Sequence, residues 1–418
     1  MWAKHLNLVC FRGFKSLDLD LDRPLTVLIG ANGSGKTSVL RAVASAQSWL
    51  LSIYNRRHEL PGVELDERDL RLGATHGEIL TRWRHGAYDF GFRVWWSAEE
   101  PKWQGFFHES SSNELFREAG RPYLFLVGTD RHVARADVRS ARPMGGAAYA
   151  DDPDEEVAAS RGAEDEGAVA ARPGYARFIE WFKEREDVEN ERRVATRDLE
   201  LQDPQLRAVR EAIEAVMPGF GSLRIQRSPT PVMVAAKGAQ EFRLDQLSGG
   251  ERNLLALTGD LARRLAIATP TGDSPRDAEA VILIDEVEQH LHPALQRKIV
   301  PALQRAFPKA QLIVTTHSPQ VLSSVPASAV VLLDSFGASP VSSPTRGRDT
   351  NAILREVFGT PARPDDEHET IREIAALLDT DRLHEARRRL DELALRLSEH
   401  DEEVLTLRAR LDFAEVGL

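Results

Sequence analysis

The sequence predicts an α/β fold, a mixed sheet flanked by helices, and three observations predict it. Leu25-Thr26-Val27-Leu28-Ile29, Val281-Ile282-Leu283-Ile284 and Gln311-Leu312-Ile313-Val314-Thr315 are short apolar, β-branched runs, as expected of parallel strands covered on both faces. Each ends in residues that carry chemistry, at the strand edge where open α/β sheets bind ligands. The first runs directly into Gly30-Ala31-Asn32-Gly33-Ser34-Gly35-Lys36-Thr37, which meets the pattern G-x-x-x-x-G-K-[ST] at every fixed position.

That loop is a P-loop. Its glycines allow a tight turn whose backbone N–H groups face phosphate oxygens. Thr37-Ser38-Val39-Leu40-Arg41-Ala42-Val43-Ala44 reads as a helix with its N-terminus toward the phosphates. Lys36 is expected to reach the β- and γ-phosphates of a nucleoside triphosphate, and the Thr37 hydroxyl to ligate Mg²⁺, a hard cation that prefers oxygen. At the end of the second run Asp285 is the expected partner ligand of Mg²⁺, and Glu286 the general base for the attacking water. The third run leads into Thr316-His317-Ser318-Pro319, which places His317 to contact a γ-phosphate and sense its loss.

Leu247-Ser248-Gly249-Gly250-Glu251 opens a helical stretch over 251–268, with apolar Leu254, Leu255, Leu257, Leu261 and Leu265. Ser248 suits an N-cap, and the glycines after it bare backbone N–H groups to an anion; the two roles are compatible.

In this order the motifs resemble the ABC-type ATPase heads of the SMC, RecF and OLD group. The opening Phe11-Arg12-Gly13-Phe14 resembles that group's first strand, and Glu288-Gln289-His290-Leu291-His292-Pro293 its D-loop. The resemblance covers about residues 1–80 and 240–335, and implies a P-loop NTPase with an ABC-type head. Asp285 and Glu286 are then the Walker B pair, Ser248, Gly249, Gly250 and Glu251 the signature, and His317 the switch histidine. It implies ATP and Mg²⁺ as ligands, held by Gly30, Asn32, Gly33, Ser34, Gly35, Lys36, Thr37 and Ser38. The signature of a second copy then completes each site, so the heads close as an ATP-sandwiched homodimer. Where a Q-loop glutamine belongs, Asp66-Glu67-Arg68-Asp69-Leu70-Arg71 stands instead. Weaker likenesses at 178–182 and 353–359 resemble the compact single-chain AAA-type ATPases, including the defence ATPase PtuA, and imply control of DNA or of a separately encoded effector, a nuclease, in anti-phage defence. The alternative within the group is a RecF-like repair or chromosome-maintenance ATPase that grips duplex DNA directly.

Between the two halves of the head, residues 81–239 read as an inserted β and helical lid. Arg82, Arg84 and Arg93, among Trp83, Tyr88, Trp95 and Trp96, suit stacked bases, but their alternation already accounts for the aromatics as cross-strand pairs of an antiparallel sheet. Residues 139–173 are rich in Ala, Gly, Asp and Glu and read as a flexible acidic loop. Residues 175–217 are helical in pattern but too few for a long coiled-coil arm. Residues 350–418 repeat apolar positions at helical spacing, with a stripe of Leu383, Ala386, Leu390, Leu393 and Leu397, and are expected to present part of that stripe to another chain.

With 418 residues, 42% hydrophobic, the chain has enough to bury a large core. A net charge of −11 argues against a surface wholly given to DNA and leaves nucleic acid to a local patch. One cysteine, Cys10 in an apolar strand, excludes a disulfide framework. No apolar run reaches membrane-spanning length, and a cytoplasmic setting is expected.

Overall fold

The computed structural model describes residues 1–54, 65–107, 123–127, 175–269, 274–361 and 363–416. They fall into two units, Met1–Arg348 and Asp349–Leu418. The acidic loop expected at 139–173 lies outside the described residues.

The first unit is built on two larger sheets. One is antiparallel, in the order β2-β1-β4-β5-β6, from β1 (Trp2–Phe11), β2 (Phe14–Asp20), β4 (His76–His85), β5 (Tyr88–Ser97) and β6 (Trp103–Phe107). The other has six strands in the order β14-β13-β3-β12-β11-β7: β3 (Leu25–Ile29), β7 (Tyr123–Val127), β11 (Ala280–Ile284), β12 (Gln311–Thr315), β13 (Val330–Asp334) and β14 (Gly337–Pro340). It is parallel except for the β13–β14 hairpin, so it is mixed, as predicted. Its central strands β3, β11 and β12 are buried at every residue, which is why they read as unbroken apolar runs.

Helix α1 (Lys36–Tyr54) follows β3 and lies in the core shared by the two sheets. Phe11, Phe14, Val39, Val43, Trp83 and Phe92 meet Leu283 and Ile313 in that core. A side chain of this size contributes about 1.5–3 kcal/mol on burial, so the inner faces of both sheets bind α1 strongly. Gln311, wholly buried, stitches the sheets at one edge. Its Nε2 donates to the carbonyls of Ala3 (2.8 Å) and Leu21 (2.7 Å), and its Oε1 accepts from the Ala3 N–H (2.7 Å).

Alternation in β4 and β5 places Trp83, Phe90, Phe92 and Trp96 inward and Arg82, Arg84, Arg93 and Trp95 outward, with Trp83 opposite Phe90 across the strands. The inward aromatics are therefore sheet packing, while Trp95 lies outward beneath the Arg93 guanidinium (5.5 Å). A lid boundary at residue 80 falls inside β4, and Tyr123–Val127, expected within the lid, pairs with β11 in the six-stranded sheet. Alternation identifies a strand, not the sheet it joins.

The helical stretch expected at 175–217 is two helices, α2 (Tyr175–Thr196) and α3 (Pro204–Val216), the second capped by Asp203. They pack with α4 (Gly249–Ala268), while α3 also meets α5 (Pro293–Ala306) and a small antiparallel sheet of β8 (Phe220–Gln226), β9 (Val232–Lys237) and β10 (Gln240–Arg243). The short helix α6 (Pro319–Leu322) follows β12.

The second unit contains α7 (Thr350–Glu356), α8 (Asp365–Asp379), α9 (Leu383–Leu397) and α10 (Glu402–Val416). The last three build their own core from Ile374, Ala386, Leu390, Leu393, Ala394, Val404, Leu407 and Leu411, with Leu383 and Leu397 packed at its margin. The α9 stripe expected to be offered to another chain is therefore spent within the unit. Three amphipathic helices in succession satisfy one another before any partner is needed. Interhelical pairs such as Arg389–Glu373 (2.8 Å) and Arg410–Asp379 (2.8 Å) lace the outside.

Candidate nucleotide site

The site forms where β3, β11 and β12 end side by side. The parallel register sets Ile284 beside Val314 and Thr315 beside Leu28, so the residues just beyond each strand converge. Ala31, Asn32 and Gly33 are exposed on the loop, Ser38 is half-buried in the first turn of α1, and Gly30, Ser34 and Lys36 are buried. The Lys36 ammonium donates to the carbonyls of Gly30 (3.0 Å) and Ala31 (2.9 Å). Burial lowers its pKa below the usual lysine value, while the carboxylates of Asp285, Glu286 and Glu288 oppose that shift. Lys36 thus faces three acids across the loop.

Thr37 Oγ1 donates to Asp285 Oδ2 at 2.8 Å, bringing the two expected metal ligands into direct contact. Both offer hard oxygen, the donor type Mg²⁺ takes, so the pair fits that ion. Among the described residues the buried Ser34 hydroxyl has no hydrogen-bond partner, and it fits a phosphate oxygen.

Sequence reasoning did not assign a role to Thr315. Its hydroxyl donates to Asp285 Oδ1 (2.5 Å) and accepts from the Glu286 N–H (2.7 Å), fixing both acids from the next strand. The signal was a wholly buried polar residue closing an apolar run. Glu286 has φ +46, a conformation that non-glycine residues seldom adopt, and this bond helps hold it there. Glu288 accepts from the His317 N–H at 2.6 Å and so sets the position of His317, which is half-buried. Groups that orient a metal ligand typically change metal affinity 10–100-fold when lost. Thr315→Val is therefore expected to raise the Mg²⁺ concentration needed for half-maximal turnover by about tenfold or more. A magnesium titration matching that of the unaltered chain would remove Thr315 from this role.

In place of a Q-loop glutamine, Asp69 is buried and accepts from Arg12 Nε (2.7 Å) and Arg41 Nε (3.1 Å). It ties the turn after β1 to α1.

Ser248 and Glu251 form a reciprocal cap at the start of α4. The Ser248 hydroxyl accepts from the Glu251 N–H (3.3 Å) and donates to Glu251 Oε2 (2.8 Å), which also accepts from the Ser248 N–H (3.1 Å). Lys237 holds the other carboxylate oxygen at 2.6 Å. Burial alone would raise the Glu251 pKa, but Lys237 and Ser248 hold it below the usual range. Ser248 and Gly249 are exposed. Among the described residues, these side-chain bonds stay within 237–251 and do not reach the P-loop. The structure thus gathers Lys36, Thr37, Asp285, Glu286 and His317 at adjoining strand ends, and leaves Ser248, Gly249, Gly250 and Glu251 as a separate, preformed surface.

Strand order, glycine loop and adjacent carboxylates define the class: a P-loop head of the ABC type. The chain belongs to the family described as "AAA domain, putative AbiEii toxin, Type IV TA system", whose model matches residues 25–323. Among its relatives, "Retron Ec83 probable ATPase" of Escherichia coli is 27% identical, over 87% of this chain and 77% of its own. "Retron Vc95 probable ATPase" of Vibrio cholerae serotype O1 biovar El Tor is 24% identical, over 84% and 78%. "Septu protein PtuA" of Bacillus mycoides (strain KBAB4) is 32% identical, over 32% of this chain and 18% of its own. Of solved structures, "SMC head domain from Thermotoga maritima" aligns with a TM-score of 0.46 and 15% identity, covering 82% of this chain and all of that one.

Proposed function

We propose that the chain is an ATP-hydrolysing switch that closes head-to-head with a second copy around ATP and controls DNA or a separately encoded effector, a nuclease, in anti-phage defence. The observation that carries this reading is the division of the site into two halves, the loop with its acids and the exposed Ser248 surface, with no side-chain bond of Ser248 or Glu251 reaching the loop among the described residues. Lys36 and the loop amides hold the triphosphate. Thr37 and Asp285 hold Mg²⁺, which when bound offsets phosphate charge. Glu286 takes the proton of the attacking water, and His317 lies beside the γ-phosphate. Ser248, Gly249 and Gly250 of one copy meet the γ-phosphate held by the other, so hydrolysis to ADP and phosphate removes the bridge and opens the pair. The retron and Septu relatives support a defence setting. No helix among the described residues is long and apolar enough to cross a membrane.

Effector recruitment is assigned to residues 350–418, through the outside of the unit, since the α9 stripe is covered within it. A RecF-like grip on duplex DNA draws less support. On the outer face of the first sheet Arg84 is paired with Asp22 (3.7 Å) and Arg93 with Glu78 (2.8 Å), so two of the three arginines singled out there already face acids.

The test is ATP turnover per chain as a function of protein concentration, with and without residues 365–418. Turnover is expected to rise with concentration and level off as pairs form, and the shortened chain is expected to keep that rise while losing effector recruitment. Turnover independent of concentration, with the chain monomeric in ATP throughout, would overturn the sandwich. Full recruitment by the shortened chain would overturn the assignment of the C-terminal helices.

A further inference from the structure

The β13–β14 hairpin meets one end of the nucleotide loop directly and the other through Phe14, and it lies beyond residues 25–323. At one end Gly30 lies so close to the Leu333 carbonyl that a Cβ there would come within 2.1 Å of the oxygen. At the other end the contact is relayed through two aromatic rings. Phe336, in the hairpin turn, covers Gly13, where a Cβ would lie 2.0 Å from the Phe336 ring. It also meets Phe14 edge to face at 5.4 Å between centroids. The Phe14 ring in turn rests on Gly35, where a Cβ would lie 2.4 Å from its tip.

The turn holds this arrangement at a cost. Asp334 pairs with Gly337, so Ser335 and Phe336 are the two central residues of a tight hairpin, with φ +49 and +59. Such turns take Asn and Gly at these positions, and a bulky aromatic with positive φ is a steric outlier. Strained residues persist where surrounding contacts over-determine them, and here the contacts lead to the loop. Phe336 is 37% exposed, so part of its ring stays in solvent while the rest covers Gly13 and meets Phe14.

We propose that Phe336 is a positioning residue for the nucleotide loop, holding Phe14 against Gly35 so that the loop is preshaped for the triphosphate. The proposal rests on the reading of Gly30 to Thr37 as the nucleotide loop, and the experiment separates the two. ATP affinity is measured by titration calorimetry on the full chain and on the Phe336→Ala, Phe336→Tyr, Gly13→Ala and Gly13→Ala/Phe336→Ala variants, with melting temperatures alongside. An aromatic pair of this kind corresponds to about a three- to tenfold change in binding. Phe336→Ala is expected to weaken ATP binding by about that factor, and Phe336→Tyr to retain the original affinity. Gly13→Ala should weaken binding by pushing the ring away, and the double variant should be no weaker than Phe336→Ala alone, because the clash leaves with the ring. Should Phe336→Ala not fold, Phe336→Leu is read in its place. A lowered melting temperature with ATP affinity unchanged would overturn the brace and leave only packing. Additive losses in the double variant would overturn it as well. An unaltered chain that binds no ATP would instead overturn the nucleotide reading itself.

Discussion

Replacing Glu286 by Gln is expected to lower ATP turnover by about two to four orders of magnitude while leaving ATP affinity nearly unchanged. Glu286 lies beyond the end of β11 with its N–H donated to Thr315, and no contact described here makes it a ligand of the metal pair Thr37 and Asp285. The amide keeps the size and the φ of +46 but cannot accept the proton from water. With hydrolysis blocked the closed pair should accumulate, seen as an ATP-dependent doubling of mass by light scattering. A Gln variant that hydrolyses ATP at the original rate would show that the base lies elsewhere.

Ser248→Arg and Lys36→Ala should each abolish turnover on their own, the first by blocking the surface offered to the partner's phosphate, the second by removing the cation that grips it. Mixed together they should recover part of the activity. Each mixed pair joins one site carrying both defects to one wholly native site, so statistical mixing at equal amounts restores about a quarter of full turnover when the sites act independently. Ser248→Arg should still bind nucleotide singly, because among the described residues no bond of Ser248 reaches its own P-loop. Absence of recovery at every ratio, with mixed pairs shown to form, would count against a site shared between copies.

How much of this was legible follows from how local each feature is. The P-loop, the Asp285–Glu286 pair and the signature are runs of consecutive residues whose chemistry is written in their spacing, and the strands before them are marked by unbroken apolar stretches. Tyr123–Val127 was visible as a strand, but its place beside β11 depends on pairing across more than a hundred residues, which no local pattern encodes. Thr315 reads as the last residue of an apolar strand until the register puts its hydroxyl beside Asp285. The α9 stripe was visible too, yet periodicity states that a face is covered without stating by what; α8 and α10 cover it. Phe336 gave no signal at all, since its place depends on a turn conformation unusual for its residue type.

The stitch made by Gln311 across the two sheets has a consequence for the order in which the molecule comes into being. The antiparallel sheet draws all its strands from the first 107 residues, so it can assemble early on the ribosome. Strand β3 cannot follow it, because its partners are β12 and β13. Those emerge roughly 300 residues later, which at about 5–20 residues per second is on the order of 15–60 s of synthesis. For most of that interval the glycine loop hangs from an unpaired strand, with neither Asp285 nor Thr315 yet made. A chain cut short before Gln311 lacks both the strand that pairs with β3 and the amide that ties Ala3 and Leu21 down. Capacity to hold a nucleotide is therefore expected to arrive late, once β12 and β13 are made.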